Sequence, residues 1–103
     1  MSTGRLATLD ISSPATDTLF YTVPGGKTAS FSMCMTNRNT STVTVRIAFT
    51  TGSITNDEYV AYEVPIYPGE VYERTGFVLA AGQFVYVRSS STGVNCVAWG
   101  WEQ

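Results

Sequence analysis

Along the chain, short stretches in which apolar and polar residues alternate are broken at intervals by turn-forming residues. In 28–37, Ala29, Phe31, Met33 and Met35 take one set of alternate positions, and Thr28, Ser30, Ser32, Cys34 and Thr36 the other. In 42–51, Val43, Val45, Ile47 and Phe49 alternate with Thr42, Thr44, Arg46, Ala48 and Thr50. Successive side chains of a strand point to opposite faces, so this period of two predicts half-buried strands. The same reading places further strands near 5–10, 17–23, 58–64, 70–79, 83–90 and 93–101. Val60, Tyr62 and Val64 are expected inside in the fifth strand, as are Phe77 and Leu79 in the sixth. Turn chemistry lies between them at Pro24-Gly25-Gly26, Asn37-Arg38-Asn39, Asn56-Asp57, Pro68-Gly69 and Ala81-Gly82. No window combines a helical period with a cap at its start. The expectation is an all-β fold, a single antiparallel β-sandwich of about eight short strands, with a jelly roll as one available arrangement.

The last two strands depart from the polar-out rule. In 83–90, Val85 and Val87 form one face, and Phe84, Tyr86 and Arg88 the other. In 93–101, Val94, Cys96, Ala98 and Gly100 alternate with Asn95, Val97, Trp99 and Trp101. A strand apolar on both faces is sandwiched between layers or carries an interface. The small Cys96, Ala98 and Gly100 suit a crowded core, which leaves Val97, Trp99 and Trp101 outward. With Tyr86, Phe84 and Arg88 they make up the candidate interface. Three uses stay open for these aromatics: a subunit contact, a stacking platform for sugar rings, or packing within the fold.

Composition narrows the partners. The chain has 103 residues, enough for one domain, and is 44% hydrophobic but only 14% charged. Sparse charge leaves room for surface that is covered by something other than water. A net charge of −2, with the six basic residues scattered, argues against nucleic acid as a partner. The sequence contains no apolar run of signal-peptide or membrane-spanning length, so no membrane partner is expected and assembly is expected in a cytoplasm. Cys34 and Cys96 should stay reduced there, and their strand phases point to opposite faces. Residues 1–16, small and polar with Pro14, suggest an N-terminal arm leading into the first strand. The arm either orders on a neighbouring subunit or is a frayed end leading into an edge strand. Residues 17–103 form the sandwich core of the same domain.

Candidate chemistry is sparse. The sequence has no histidine, which removes the Ser-His-Asp and Cys-His nucleophilic sites and every histidine metal site. Two cysteines alone do not make a structural zinc centre. Asp57, Glu58, Glu63, Glu70 and Glu73 are the carboxylates from which a hydrolytic pair would be drawn, but they read as solvated charge at turns and strand openings. Pro24-Gly25-Gly26-Lys27 lacks the strand-to-helix setting of a phosphate loop, and Asn39-Thr40-Ser41 reads as a hairpin turn rather than a glycosylation site. Thr42 and Thr44 reflect ordinary strand propensity. No catalytic, cofactor-binding or metal residue is expected, and the chain reads as non-enzymatic.

Several stretches carry a resemblance. They are Leu19-Phe20-Tyr21-Thr22-Val23-Pro24, Met35-Thr36-Asn37-Arg38-Asn39, Val43-Thr44-Val45-Arg46-Ile47-Ala48, Tyr59-Val60-Ala61-Tyr62, Glu73-Arg74-Thr75-Gly76-Phe77-Val78-Leu79 and the closing Trp99-Gly100-Trp101-Glu102. In their order, from about residue 5 onward, the chain resembles small structural proteins of tailed bacteriophages. The resemblance is one of strands and turns and brings no catalytic residues. It implies a virion component that decorates or cements the head shell, with a tail or fibre module that binds carbohydrate or the host surface as the alternative. It further implies a homo-oligomer, a trimer by analogy with decoration proteins. The major capsid protein or another virion protein would be the partner, and Arg38, Arg74 and Arg88 would be available to acidic patches on a shell.

Overall fold

The computed structural model describes residues 2–103, and eight strands account for most of them. They are β1 (Ser2–Asp10), β2 (Thr18–Thr22), β3 (Ala29–Asn37), β4 (Val43–Thr50), β5 (Tyr59–Ile66), β6 (Val71–Leu79), β7 (Phe84–Ser89) and β8 (Val94–Glu102). One 3-10 turn, Asn56–Glu58, precedes β5. Every strand read from the sequence is present. The first segment is the edge strand β1, paired along its length with β8 of its own chain.

Two four-stranded antiparallel sheets pack face to face, ordered β1-β8-β3-β6 and β2-β7-β4-β5. Each connection except the β4–β5 hairpin passes from one sheet to the other. The pairs β1–β8, β2–β7, β3–β6 and β4–β5 are those of one long antiparallel ribbon rolled into two layers, which is a jelly roll. Alternation on the central strands decides what is buried. Ala29, Phe31, Met33 and Met35 of β3, Val43, Val45 and Ile47 of β4, Val85 and Val87 of β7, and Val94, Cys96 and Ala98 of β8 all lie in the core. At one end Tyr21, Phe31, Phe49 and Phe77 form an aromatic cluster, with the Phe49 and Phe77 rings 4.7 Å apart and perpendicular. Phe49 is only half-buried, because it closes the end of the core.

The central ladders β3–β8 and β4–β7 run without a register break, whereas the pairing of every edge strand is interrupted. Bulges twist an edge and discourage pairing with another chain. They also reset the side-chain phase. In β2 the break falls between Leu19 and Tyr21, so Phe20 and Tyr21 are both buried. In β6 the break between Arg74 and Phe77 contains Gly76 at φ 80°.

In β5 it overturns an expectation. Tyr62, expected inside, is 58% exposed, while Ala61 and Ile66 point into the core and Val60 and Val64 are half-buried. Ala61 faces Ile47 and Val64 faces Val45, so Tyr62 and Glu63 together occupy the space opposite Arg46. Glu63 takes φ 51°, the left-handed conformation that an extra residue in a bulge adopts. Pro65 is tolerated because β5 is an edge.

Polar side chains fasten the two layers. Asn37, with no exposed surface, donates from its amide to the carbonyls of Ser41 and Ile66, and its Oδ1 accepts from the Asn39 N–H. Its own N–H donates to the Glu70 carbonyl, and the Arg38 N–H to that of Gly93. The Asn37-Arg38-Asn39 turn thereby ties the β3–β4, β5–β6 and β7–β8 connections at one end. Along the β5–β6 side, Arg74 donates to the Val60 carbonyl and to the Tyr72 hydroxyl, each at 3.0 Å. Cys34 and Cys96 are free thiols, Cys34 half-buried on the outer face and Cys96 in the core. Burial foremost pushes the Cys96 thiol up to about 12.

Candidate functional site

The outer face of the β1-β8-β3-β6 sheet has no second layer over it. Down its middle run Asn95, Val97, Trp99 and Trp101 of β8, as the alternation predicts. The register sets their neighbours. Trp101 lies between Thr3 on β1 and Ser30 on β3, Trp99 between Arg5 and Ser32, and Val97 between Thr8 and Cys34. Small side chains on β3 let the indoles cover the sheet surface, so Trp99 is half-buried while Trp101 keeps 38% of its surface exposed. On the edge strand β6, Val71 and Val78 are exposed, each level with this face through Thr36 and Ser30. Together these make an apolar stripe bordered by hydroxyls and by Arg5.

The stripe depends on the strand beneath it. Gly100 pairs with Phe31 on one side and Gly4 on the other. A Cβ there would stand 2.1 Å from the Ser30 carbonyl oxygen, and φ is 152°. Only glycine allows β3 and β8 to approach so closely between the two tryptophans.

The remaining candidates lie elsewhere, which corrects the expectation of a single aromatic platform. Phe84, Tyr86 and Arg88 are half-buried on the outer face of β7, in the opposite sheet. The thickness of the sandwich separates them from Trp99 and Trp101, because β7 and β8 point their second faces in opposite directions. Phe84 and Tyr86 sit 6.5 Å apart, edge to face, beside a groove of about 530 Å³ shared with Asp17, Gly52, Ser53 and Ile54. Each of the three arginines has a partner within its own chain. Arg38 pairs with Asp10 at 2.5 Å, Arg88 stands 3.8 Å from Asp17, and Arg74 is held by Val60 and Tyr72.

A further cluster on the β2-β7-β4-β5 sheet was not legible in the alternation. The β5 bulges turn Tyr59 and Tyr62 to the same outer face, where their rings stand 5.1 Å apart at 77°. Arg46 lies over the Tyr62 ring at 4.2 Å and donates from Nε to Glu63 at 3.0 Å. Hydrogen bonding to Glu63, its largest influence, raises the guanidinium above its ordinary value. Arg46 faces Arg88 across the β4–β7 ladder, and each has its own acid, Glu63 or Asp17. The one sequence signal was Tyr59-Val60-Ala61-Tyr62, whose spacing of three puts both rings on one face only if a residue bulges between them.

Among the described residues, no group of three or more histidine, cysteine or carboxylate side chains converges as metal ligands. No helix among the described residues is long and apolar enough to cross a membrane. In comparison with known proteins, the chain matches no family model, no curated protein and no solved structure.

Proposed function

We propose that the chain is a non-enzymatic structural protein of a bacteriophage virion, which decorates or cements the capsid shell through the outer face of its β1-β8-β3-β6 sheet. One observation carries the adhesive part of this reading. Val97, Trp99 and Trp101 form a continuous apolar stripe on an uncovered sheet face, anchored by the close β3–β8 approach at Gly100. Rigid aromatic anchors with polar surroundings are the side chains that dominate protein interfaces. Burying such a face is worth roughly 25 cal/mol per Å² of apolar area, partly offset by the entropy of association. The virion setting is supported by the resemblance of the strand-and-turn stretches, and repeated shells favour closed symmetric oligomers, a trimer first.

The test is solution mass by light scattering across a range of concentrations, for wild type and Trp101→Ala, followed by binding to capsid shells that lack the protein. A homo-oligomer or shell complex whose dissociation constant rises about tenfold or more in Trp101→Ala is the expected result. A monomer at every concentration that ignores shells, or assembly untouched by the substitution, overturns it.

A further inference from the structure

We infer that Tyr59, Tyr62, Asn56, Arg46 and Glu63 form a binding site for a neutral saccharide, on the sheet opposite the tryptophan stripe. Asn56, Tyr59 and Tyr62 line a surface groove of about 450 Å³. Two nearly perpendicular rings 5.1 Å apart give it a corner, and an amide stands at its edge. An aromatic face receives the C–H face of a sugar ring, while the Asn56 amide and the Tyr62 hydroxyl meet its hydroxyls and Arg46, bonded to Glu63 and to Tyr59, holds the walls in place.

The site is built rather than incidental. Glu63 is held at φ 51°, a conformation costly for a residue other than glycine, and such strain collects where function requires it. Its consequence is local: it turns Tyr62 outward and places the Glu63 carboxylate on Arg46. Arg46 then stacks on Tyr62 and reaches 5.8 Å from the Tyr59 ring centroid, fixing both walls. One face of Tyr62 is covered by the guanidinium, yet 58% of the residue stays exposed, which leaves its outer surface for a ligand. The 55–58 turn is closed by the Thr55 N–H donating to Glu58 Oε1 and the Glu58 N–H donating to the Thr55 carbonyl, and this sets Asn56 in position.

Charge selects the ligand class. The guanidinium over the rings repels a cation, so this is not a cage for a quaternary ammonium group. The one guanidinium at the rings is already paired with Glu63, and Asp57 and Glu58 follow Asn56 directly in the chain, so the charge here does not favour an anion. A ligand with an apolar ring face and neutral hydroxyls satisfies both conditions. The inference is independent of the tryptophan face and stands whether or not that face docks on a shell.

The experiment is a two-dimensional amide NMR titration of the full chain with lactose, cellobiose, maltose, mannobiose and chitobiose, and with sialyllactose and choline as charged comparisons. Expected are saturable shifts from at least one neutral disaccharide, centred on Asn56, Tyr59 and Tyr62, with weaker binding of sialyllactose and none of choline. Tyr62→Ala should bind about tenfold more weakly, Tyr62→Phe should retain most affinity, and Trp101→Ala should be unchanged. Because Tyr62 is exposed, the wild-type pattern of core resonances in Tyr62→Ala confirms its fold. Absence of saturable shifts across the neutral panel, shifts centred on Trp99 and Trp101, preference for a charged ligand, or unaltered binding by a folded Tyr62→Ala each overturns the site.

Discussion

The hydroxyl of Tyr21 on β2 donates to the Glu102 carboxylate on β8, joining the two sheets at the edge of the aromatic cluster. Tyr21 is almost fully buried, and burial foremost, with the Glu102 bond and charge behind it, raises its hydroxyl well above the ordinary tyrosine value. Tyr21→Phe removes the donor and leaves the half-buried carboxylate without it. A loss of about 1–2 kcal/mol in urea unfolding is expected. Unchanged stability would show that water serves Glu102 equally well.

The alkaline limb of stability follows from Tyr21 and Cys96. Both groups hold their proton more tightly in the folded chain, so above their ordinary values the unfolded chain binds fewer protons and unfolding is favoured. The contribution of these two groups should be constant below about pH 9, then fall as pH rises from there through about 12, first as the unfolded-state thiol ionises and then, above pH 10, the unfolded-state phenol. Tm measured across this range should decline less steeply in Cys96→Ala, even though that variant starts lower for want of a buried atom.

The two thiols should differ in chemical access. Cys34 is half-buried on the open sheet face and Cys96 has no exposed surface. Under native conditions a small alkylating reagent should modify Cys34 alone, and Cys96 should react only as the chain unfolds. Mass spectrometry of digested protein distinguishes the sites, and equal labelling rates would contradict the packing of β8.

Gly100→Ala probes the closest approach in the fold. With a Cβ 2.1 Å from the Ser30 oxygen, β3 and β8 must separate, and a loss of about 3 kcal/mol or more is expected. Gly52→Ala, where an added Cβ meets nothing within 4 Å, should change stability by less than about 1 kcal/mol.

Asn37→Leu is nearly the right size but cannot replace the bonds to Ser41, Ile66 and Asn39. Leaving the buried Ile66 carbonyl unpaired, with the part-buried groups of Ser41 and Asn39 left to water, should cost about 2 kcal/mol. The loss should appear as faster amide exchange in the three connections that meet at this residue, beyond any change in the sheets.

What the sequence determined by itself is the all-β class, all eight strands and the faces of the central ones. The β3–β8 and β4–β7 ladders stay in register, so the period of two in residues such as Phe31–Met33–Met35 carries through to burial, whereas on β4 Ala48 and Thr50 are buried although their phase is outward. The outward Val97, Trp99 and Trp101 were legible for the same reason. Tertiary structure alone decided the rest. An edge strand has one free side and accommodates an extra residue there, so β5 resets its phase at Glu63 and turns Tyr62 from the expected core position to the surface. That reset depends on how β5 meets β4, and alternation within β5 does not encode it. Likewise, alternation shows that β7 and β8 each have an outer face, but not that the faces belong to different sheets. The rolled pairing of distant strands placed Tyr86 and Trp99 on opposite sides of the sandwich, because local periodicity fixes a side chain relative to its own strand and only long-range pairing fixes one strand relative to another.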